Sequence, residues 1–338
     1  MEQFNIAILG ATGLVGQNLL DVLAEREFPV GQLYPLASAR SAGGTVTFKG
    51  KALEVLDAET FDWSLAQIGL FSAGGSVSAV YAPKAAAAGC IVIDNTSHFR
   101  YDEDVPLVVP EVNPLAIDDY DKRNIIANPN CSTIQMLVAL KPIHDAVGVK
   151  RINVATYQSV SGAGQQGIET LARETTSLLN GRPIESTGKF SRQIAFNVIP
   201  QIDVLMDNGY TKEEMKMLWE TRKILGDDTI GVNATCVRVP VFYGHAEAIH
   251  IETASPISVQ AVKDLLRDAP GVVLLEDDAE FPTQVGDAQG QDAVYVGRIR
   301  KDESHPCGLN LWVVSDNVRK GAATNAVQIA ELLVRDCF

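Results

Sequence analysis

The chain has 338 residues, and at about 150 residues per domain that length points to two domains rather than one small module. Hydrophobic residues make up 46% and charged residues 21%, a balance that excludes disorder, collagen and low-complexity filaments. Lys and Arg number 28 against 42 Asp and Glu, and the net charge of -14 opposes attraction to nucleic acid or anionic lipid, so neither is expected as a partner.

From the N-terminus, MEQFNIAILG has no basic patch ahead of an apolar run, and no later run approaches the ~20 apolar residues that span a bilayer. Neither a secretory leader nor a membrane span is expected. Residues 5–9 read as a buried strand, and over 13–25 Leu14, Leu19, Val22 and Leu23 fall at helical spacings, so strand, glycine-rich turn and helix follow in order. Further strands are expected at 33–36, 68–71, 91–94 and 125–127, with an alanine-rich helix over 76–88 ahead of Gly89. Strands alternating with helices predict a parallel sheet with crossover helices. From about residue 150 the strands lengthen and alternate more clearly, at 152–158 and 233–241, as suits a half-exposed sheet or one used in an interface. A domain change is placed near residue 132, and 322–334 reads as a last amphipathic helix that returns to the first domain.

Gly10-Ala11-Thr12-Gly13-Leu14-Val15-Gly16 lies between the first strand and the first helix, where backbone amides and the helix dipole meet a pyrophosphate. A plain tight turn is the alternative, and the flanking strand and helix favour the dinucleotide. An NAD site offers an acid at the end of the second strand, whereas NADP needs a cation or hydroxyl for its 2′-phosphate. The segment at that place supplies Ser38, Arg40 and Ser41 and no acid, which favours NADP over a merely solvated arginine.

Asn128-Pro129-Asn130-Cys131-Ser132-Thr133 follows an apolar strand and precedes a helical pattern containing Ile134, Leu137 and Leu140. Cys131 thus opens a helix, where the dipole stabilises the thiolate that attacks carbonyl carbon. Cys90, Cys236, Cys307 and Cys337 lie in strand-like runs or near a chain end and read as structural. The five cysteines form no CxxC pair or ligand spacing, so no metal is expected and a reducing cytoplasm is the fitting compartment. A thiol nucleophile needs a base. His250 looks like a strand residue, His144 is helical and His305 sits beside Pro306 in a loop, while His245 follows Gly244 where a strand stops. Position alone barely separates His245 from the others.

The glycine turn, Ser38-Ala39-Arg40-Ser41, Asn95-Thr96-Ser97-His98-Phe99-Arg100, the Asn-Pro-Asn-Cys-Ser-Thr run, Gln158 ahead of Ser161-Gly162, and Arg238-Val239-Pro240 leading to Gly244-His245 together resemble the aspartate-β-semialdehyde dehydrogenase family. The resemblance runs from Asn5 to the final helix. It implies an α/β fold: a Rossmann-like NADP-binding domain over 1–132, with the helix of about 318–338 packing back on it, and an α+β substrate-binding and dimerisation domain with a mixed sheet over 133–317.

Residue by residue, the resemblance makes Cys131 the thioester-forming nucleophile, His245 the acid/base and Gln158 the residue that positions the acyl intermediate. It assigns Arg238 to the substrate α-carboxylate, Arg100 and Lys216 to phosphate, Asn130 to the substrate site, and Glu213 to the ammonium, with Glu214 an adjacent alternative register. Gly10, Thr12, Gly13, Leu14, Val15, Ser38, Arg40, Ser41, Ser161, Gly162 and Asn317 fall to NADP(H). A substrate with a carboxylate, an ammonium and an acyl phosphate requires cationic and anionic sites of this kind, and a planar Arg suits a carboxylate.

The implied reaction converts L-4-aspartyl phosphate and NADPH reversibly to L-aspartate 4-semialdehyde, NADP+ and phosphate. It serves lysine, diaminopimelate, threonine, methionine and isoleucine synthesis, in an enzyme that forms dimers and sometimes tetramers. Two alternatives stand beside it: a related acyl-phosphate reductase such as N-acetyl-γ-glutamyl-phosphate reductase, which would not need Glu213, and a non-catalytic nucleotide-binding paralogue, against which Cys131, Gln158, Arg238 and His245 argue.

Overall fold

The computed structural model describes residues 2–277 and 279–337. It divides into two units, one running up to Pro129 and resuming at Ala322, the other covering 130–321. The division falls just ahead of the change expected near 132, so Cys131 belongs to the second unit.

The first unit contains β1 (Phe4–Leu9), α1 (Leu14–Glu25), β2 (Val30–Ala37), β3 (Thr45–Phe48), β4 (Lys51–Glu54), β5 (Leu56–Asp57), β6 (Ile68–Phe71), α2 (Gly75–Ala87), β7 (Ile91–Asp94) and β8 (Ile125–Ala127). Six strands form one sheet in the order β5-β2-β1-β6-β7-β8, parallel throughout, while β3 and β4 make a separate antiparallel hairpin. Every residue of β6, β7 and β8 is buried, which explains why they read as unbroken apolar runs: a parallel sheet is covered on both faces. Leu19, Leu20, Val22 and Leu23 of α1 share one core with Ile6 and Ile8 and with Val327, Ile329 and Leu333 of the C-terminal helix Thr324–Asp336. The strand order reverses between β1 and β6. Gly10, at φ +91°, lies so close to the turn after β6 that an added Cβ would stand 3.0 Å from Ala73 N and Ser72 Oγ. This is the crevice in which open α/β sheets bind ligands.

The second unit contains α3 (Cys131–Val147), β9 (Val149–Gln158), α4 (Gln165–Leu179), α5 (Lys212–Leu225), β10 (Gly231–Arg238), β11 (His245–Thr253), α6 (Val259–Arg267), β12 (Val272–Leu274), β13 (Val294–Lys301) and β14 (Gly308–Ser315). Its sheet, in the order β10-β9-β11-β14-β13-β12, is mixed: β9 pairs parallel with β10, and β11 antiparallel with β9 and β14. Helices α3, α5 and α6 pack on one face. The strand expected over 233–241 stops at Arg238, because Pro240 has no N–H for a ladder. Among the described residues no helix is long and apolar enough to cross a membrane.

Candidate active site

Asn130 holds the first turn of α3. Its Oδ1 accepts from Ser132 N at 3.0 Å and Thr133 N at 3.2 Å, its Nδ2 donates to Glu213 Oε1 at 2.8 Å, and its own N–H donates to Glu220 Oε2 at 2.6 Å. Cys131, the next residue, is half-buried. Gly321 leaves room for it, since a Cβ there would come within 2.7 Å of Cys131 Cβ.

Three strand ends carry the other side chains in register. Gln158 ends β9, with Arg238 of β10 opposite it on one side and His245 of β11 on the other. Gln158 Nε2 faces three oxygens, Ser132 Oγ at 3.1 Å, Glu213 Oε1 at 3.2 Å and Thr156 Oγ1 at 3.3 Å. Arg238 is buried and donates from Nη1 to Ser159 O at 2.6 Å. Burial lowers its pKa while Glu213 opposes the shift, and a guanidinium starting so high keeps its charge. A Cβ on Gly162 would lie 2.8 Å from Arg238 Nη1 and 3.3 Å from His245 Nε2, so this glycine borders both side chains.

His245 is fully buried, and its Nδ1 accepts from Ser159 N–H at 3.1 Å. That amide can only donate, so the neutral ring carries its own proton on Nε2, a buried atom with no partner among the described residues. Burial first, then the charge of Arg238, lowers the ring's pKa to about 3. Behind it Ser159 Oγ, Ser161 Oγ and Gly244 N converge on Asn317 Oδ1 at 3.0, 3.1 and 3.0 Å, so Asn317 ties the strand ends together.

Glu213 and Glu214 both start α5 but serve different ends. Glu214 closes a capping box, accepting from Thr211 N at 2.7 Å, and also accepts from Cys236 N at 3.0 Å. Glu213 faces Asn130, Gln158 and Lys216 instead. Burial alone would raise its carboxyl, but Lys216 at 2.9 Å, helped by Asn130 and Gln158, pulls it down to about 2. Lys216 also meets Asp203 at 2.8 Å, and against its own burial the two carboxylates push its pKa up.

In the first unit, Arg100 is buried and donates from Nη2 to Asn95 O at 2.9 Å, with Asp94 nearby. Gly13 caps α1, followed by Leu14 and Val15, and Gly16 is forced, since a Cβ there would stand 2.1 Å from Gly10 O. Thr12, Ser38 and Arg40 are exposed and Ser41 half-exposed, the last three in the turn after β2. A tight glycine turn at a helix start, with two hydroxyls and a guanidinium at the next strand end, is a cradle that fits a nicotinamide dinucleotide.

The other cysteines divide. Cys90 and Cys236 are fully buried, and burial pushes the Cys90 thiol up to about 12; Cys307 sits in the turn before β14 rather than in a strand. Several working residues escaped the sequence reading: Ser132, Thr156, Ser159, Glu220 and Gly321. Glu220 alone had a signal, because it lies seven residues after Glu213 and therefore on the same face of α5.

Residues 140–320 match the family model described as semialdehyde dehydrogenase, dimerisation domain, and residues 5–120 match semialdehyde dehydrogenase, NAD binding domain. The chain is 66% identical over 337 residues to an aspartate-semialdehyde dehydrogenase of Shewanella sp. (strain DB6705) and 68% identical over 337 residues to aspartate-semialdehyde dehydrogenase 2 of Vibrio cholerae; each comparison spans 100% of this chain and 99% of the relative. The crystal structure of aspartate semialdehyde dehydrogenase II complexed with ASA from Vibrio cholerae matches with a TM-score of 0.99 at 67% identity, over 100% of both chains. The Candida albicans aspartate semialdehyde dehydrogenase with NADP matches with a TM-score of 0.77 at 26% identity, over 98% of this chain and 99% of that one. By full-length identity and by both family models, the chain belongs to the aspartate-semialdehyde dehydrogenase family.

Proposed function

We propose that the protein catalyses the reversible, NADPH-dependent reductive dephosphorylation of L-4-aspartyl phosphate to L-aspartate 4-semialdehyde, through a thioester on Cys131. The observation that carries this is the row Arg238, Gln158, His245 across three adjacent strand ends, joined to the start of α3 through Ser132. The Cys131 sulfur attacks the acyl carbon, the carbon–oxygen bond to phosphate breaks with its electron pair, and phosphate leaves. The dipole at the start of α3, where Cys131 sits, stabilises the charge that gathers on the tetrahedral oxygen. When bound, NADPH supplies the hydride that reduces the thioester. His245 shares its Nε2 proton in a hydrogen bond with the negatively charged oxygen of the resulting tetrahedral thiohemiacetal, and as that charge re-forms the carbonyl the carbon–sulfur bond breaks, releasing the aldehyde and restoring the thiolate.

Substrate orientation follows from charge. Arg238 pairs with the α-carboxylate, and Glu213, ionised at any ordinary pH, receives the ammonium. Arg100 and Lys216 serve phosphate; since Lys216 already meets Asp203 and Glu213, phosphate binds there only as Asp203 yields its contact. Gly10, Thr12, Gly13, Leu14 and Val15 hold the pyrophosphate of NADP(H), and Ser38, Arg40 and Ser41 its 2′-phosphate. Ser161, Gly162 and Asn317 are also assigned to NADP(H). The enzyme works as a cytoplasmic homodimer in lysine, diaminopimelate, threonine, methionine and isoleucine synthesis.

An assay of aspartate semialdehyde and N-acetylglutamate semialdehyde, each with phosphate and with NADP+ or NAD+, tests this. The first aldehyde with NADP+ is expected to give the highest kcat/KM, and Cys131→Ala to abolish turnover. Full activity in Cys131→Ala, or preference for the acetylated aldehyde, overturns the assignment.

A further inference from the structure

Glu247 lies on β11 two residues beyond His245, on the same face of the strand, and is fully buried. Among the described residues neither of its carboxyl oxygens makes a well-formed hydrogen bond, and the Gln135 and Ser132 side chains are the polar groups that come near them. Its in-register neighbours are Thr156 on β9 and Val313 on β14, and α3 presents Gln135 and Ser132 to it; none of these carries a positive charge. Gln135 Oε1 is another buried acceptor without a donor among the described residues. The Gln135 amide is oriented by Nε2, which donates to the His245 carbonyl at 3.4 Å, and turning it over would set two carbonyl oxygens against each other.

As an ion, Glu247 could take the Ser132 hydroxyl at one oxygen but would leave its other oxygen and Gln135 Oε1 without a donor, each costing about 1–3 kcal/mol, besides an unpaired buried charge. One proton removes the conflict: the acid donates to Gln135 Oε1 and keeps an oxygen to accept from the Ser132 hydroxyl. Ser132 Oγ in turn accepts from Gln158 Nε2 at 3.1 Å. We propose that Glu247 is a positioning residue held as a neutral carboxylic acid, fixing Gln135 and Ser132 behind the start of α3 and, through Ser132, the amide of Gln158. Burial, which raises the carboxyl well above the usual carboxylate range, agrees with the geometry. The effect on turnover rests on the assignment of Cys131 and Gln158 above, whereas the protonation state does not.

Infrared difference spectra of the whole protein, wild type minus Glu247→Gln at neutral pH, are expected to show the carbonyl stretch of a protonated carboxyl. Glu247→Gln, whose amide N–H replaces the acid's O–H, should keep kcat close to wild type. Glu247→Leu should lower kcat by about tenfold with KM for the semialdehyde little changed, the rate equivalent of one neutral hydrogen bond. An ionised-carboxylate band in place of the protonated one overturns the proposal, as does a Glu247→Gln variant that folds yet is as slow as Glu247→Leu. Should Glu247→Leu fail to fold, the band and the glutamine variant still decide. A protonated band in an enzyme that turns over neither aldehyde would leave Glu247 as assigned and sink the reaction instead.

Discussion

His245 shows how a residue's chemistry is set by what surrounds it. Its histidine identity and its place after Gly244 were legible, but five histidines compete in the sequence and only the fold shows that this one faces Arg238 and takes the Ser159 amide. Burial also makes it a reporter of stability. An unfolded histidine takes its proton near 6.5 and the folded ring near 3, so between those values the unfolded chain holds the extra proton. Stability is therefore complete above 6.5 and falls as pH drops through that window, by at most about 1.4 kcal/mol per pH unit. Glu213, held at about 2, begins to matter only below the ordinary carboxylate range near 4.5 and does not overlap the start of this window. Between pH 6.5 and about pH 5, wild type should lose about 1.6 kcal/mol more than His245→Asn, read from urea midpoints at each pH. Equal losses would mean that His245 is not buried as a neutral ring.

Among the elements, β1, its glycine turn and α1 were plain in the sequence because three signals coincide: an apolar run, glycines where no Cβ fits, and helical spacing of the leucines. β9 was read from 152 although it starts at Val149, since Lys150 and Arg151 are both exposed and break the alternation. The region 160–230 gave no element, yet it holds α4 and α5; α4 carries Gly167, Thr175 and Thr176, which argue locally against a helix until its leucines find Val160 and Ile194. Where a short motif does fix an element, the consequence is measurable. Asn130 both caps α3 and donates to Glu213, and two substitutions separate these tasks. Serine keeps an acceptor for the first-turn amides and loses the amide N–H that reaches Glu213; alanine loses both. Asn130→Ala should unfold about 1 kcal/mol more easily than Asn130→Ser in thermal denaturation, while both raise KM for the semialdehyde. Identical stabilities would show that the cap contributes nothing.

For the whole molecule, the charge of -14 first argued against anionic partners, yet the proposed ligands are anions. The contradiction dissolves at close range, where Arg238 and helix starts act locally and the distant acids are screened over about 8 Å at physiological salt. The mixed sheet raises the other molecular question. One face lies under α3, α5 and α6, while the opposite face carries Tyr157, Ala248, His250, Asn310 and Trp312, with Tyr157 37% exposed. A sheet face bearing aromatic and small apolar side chains gains by being covered, and a homodimer covers it with the same face of a second copy. Ala248 sits on the central strand β11, in register with Ala155 on β9 and Trp312 on β14. In such a dimer Ala248→Glu forces a much larger side chain into a packed face in both copies, whereas on a free surface it changes almost nothing. Sedimentation should find wild type as a dimer or a multiple of it and Ala248→Glu shifted to a folded monomer, with the far-ultraviolet circular dichroism unchanged. If Ala248→Glu sediments like wild type, this face is not where the copies meet.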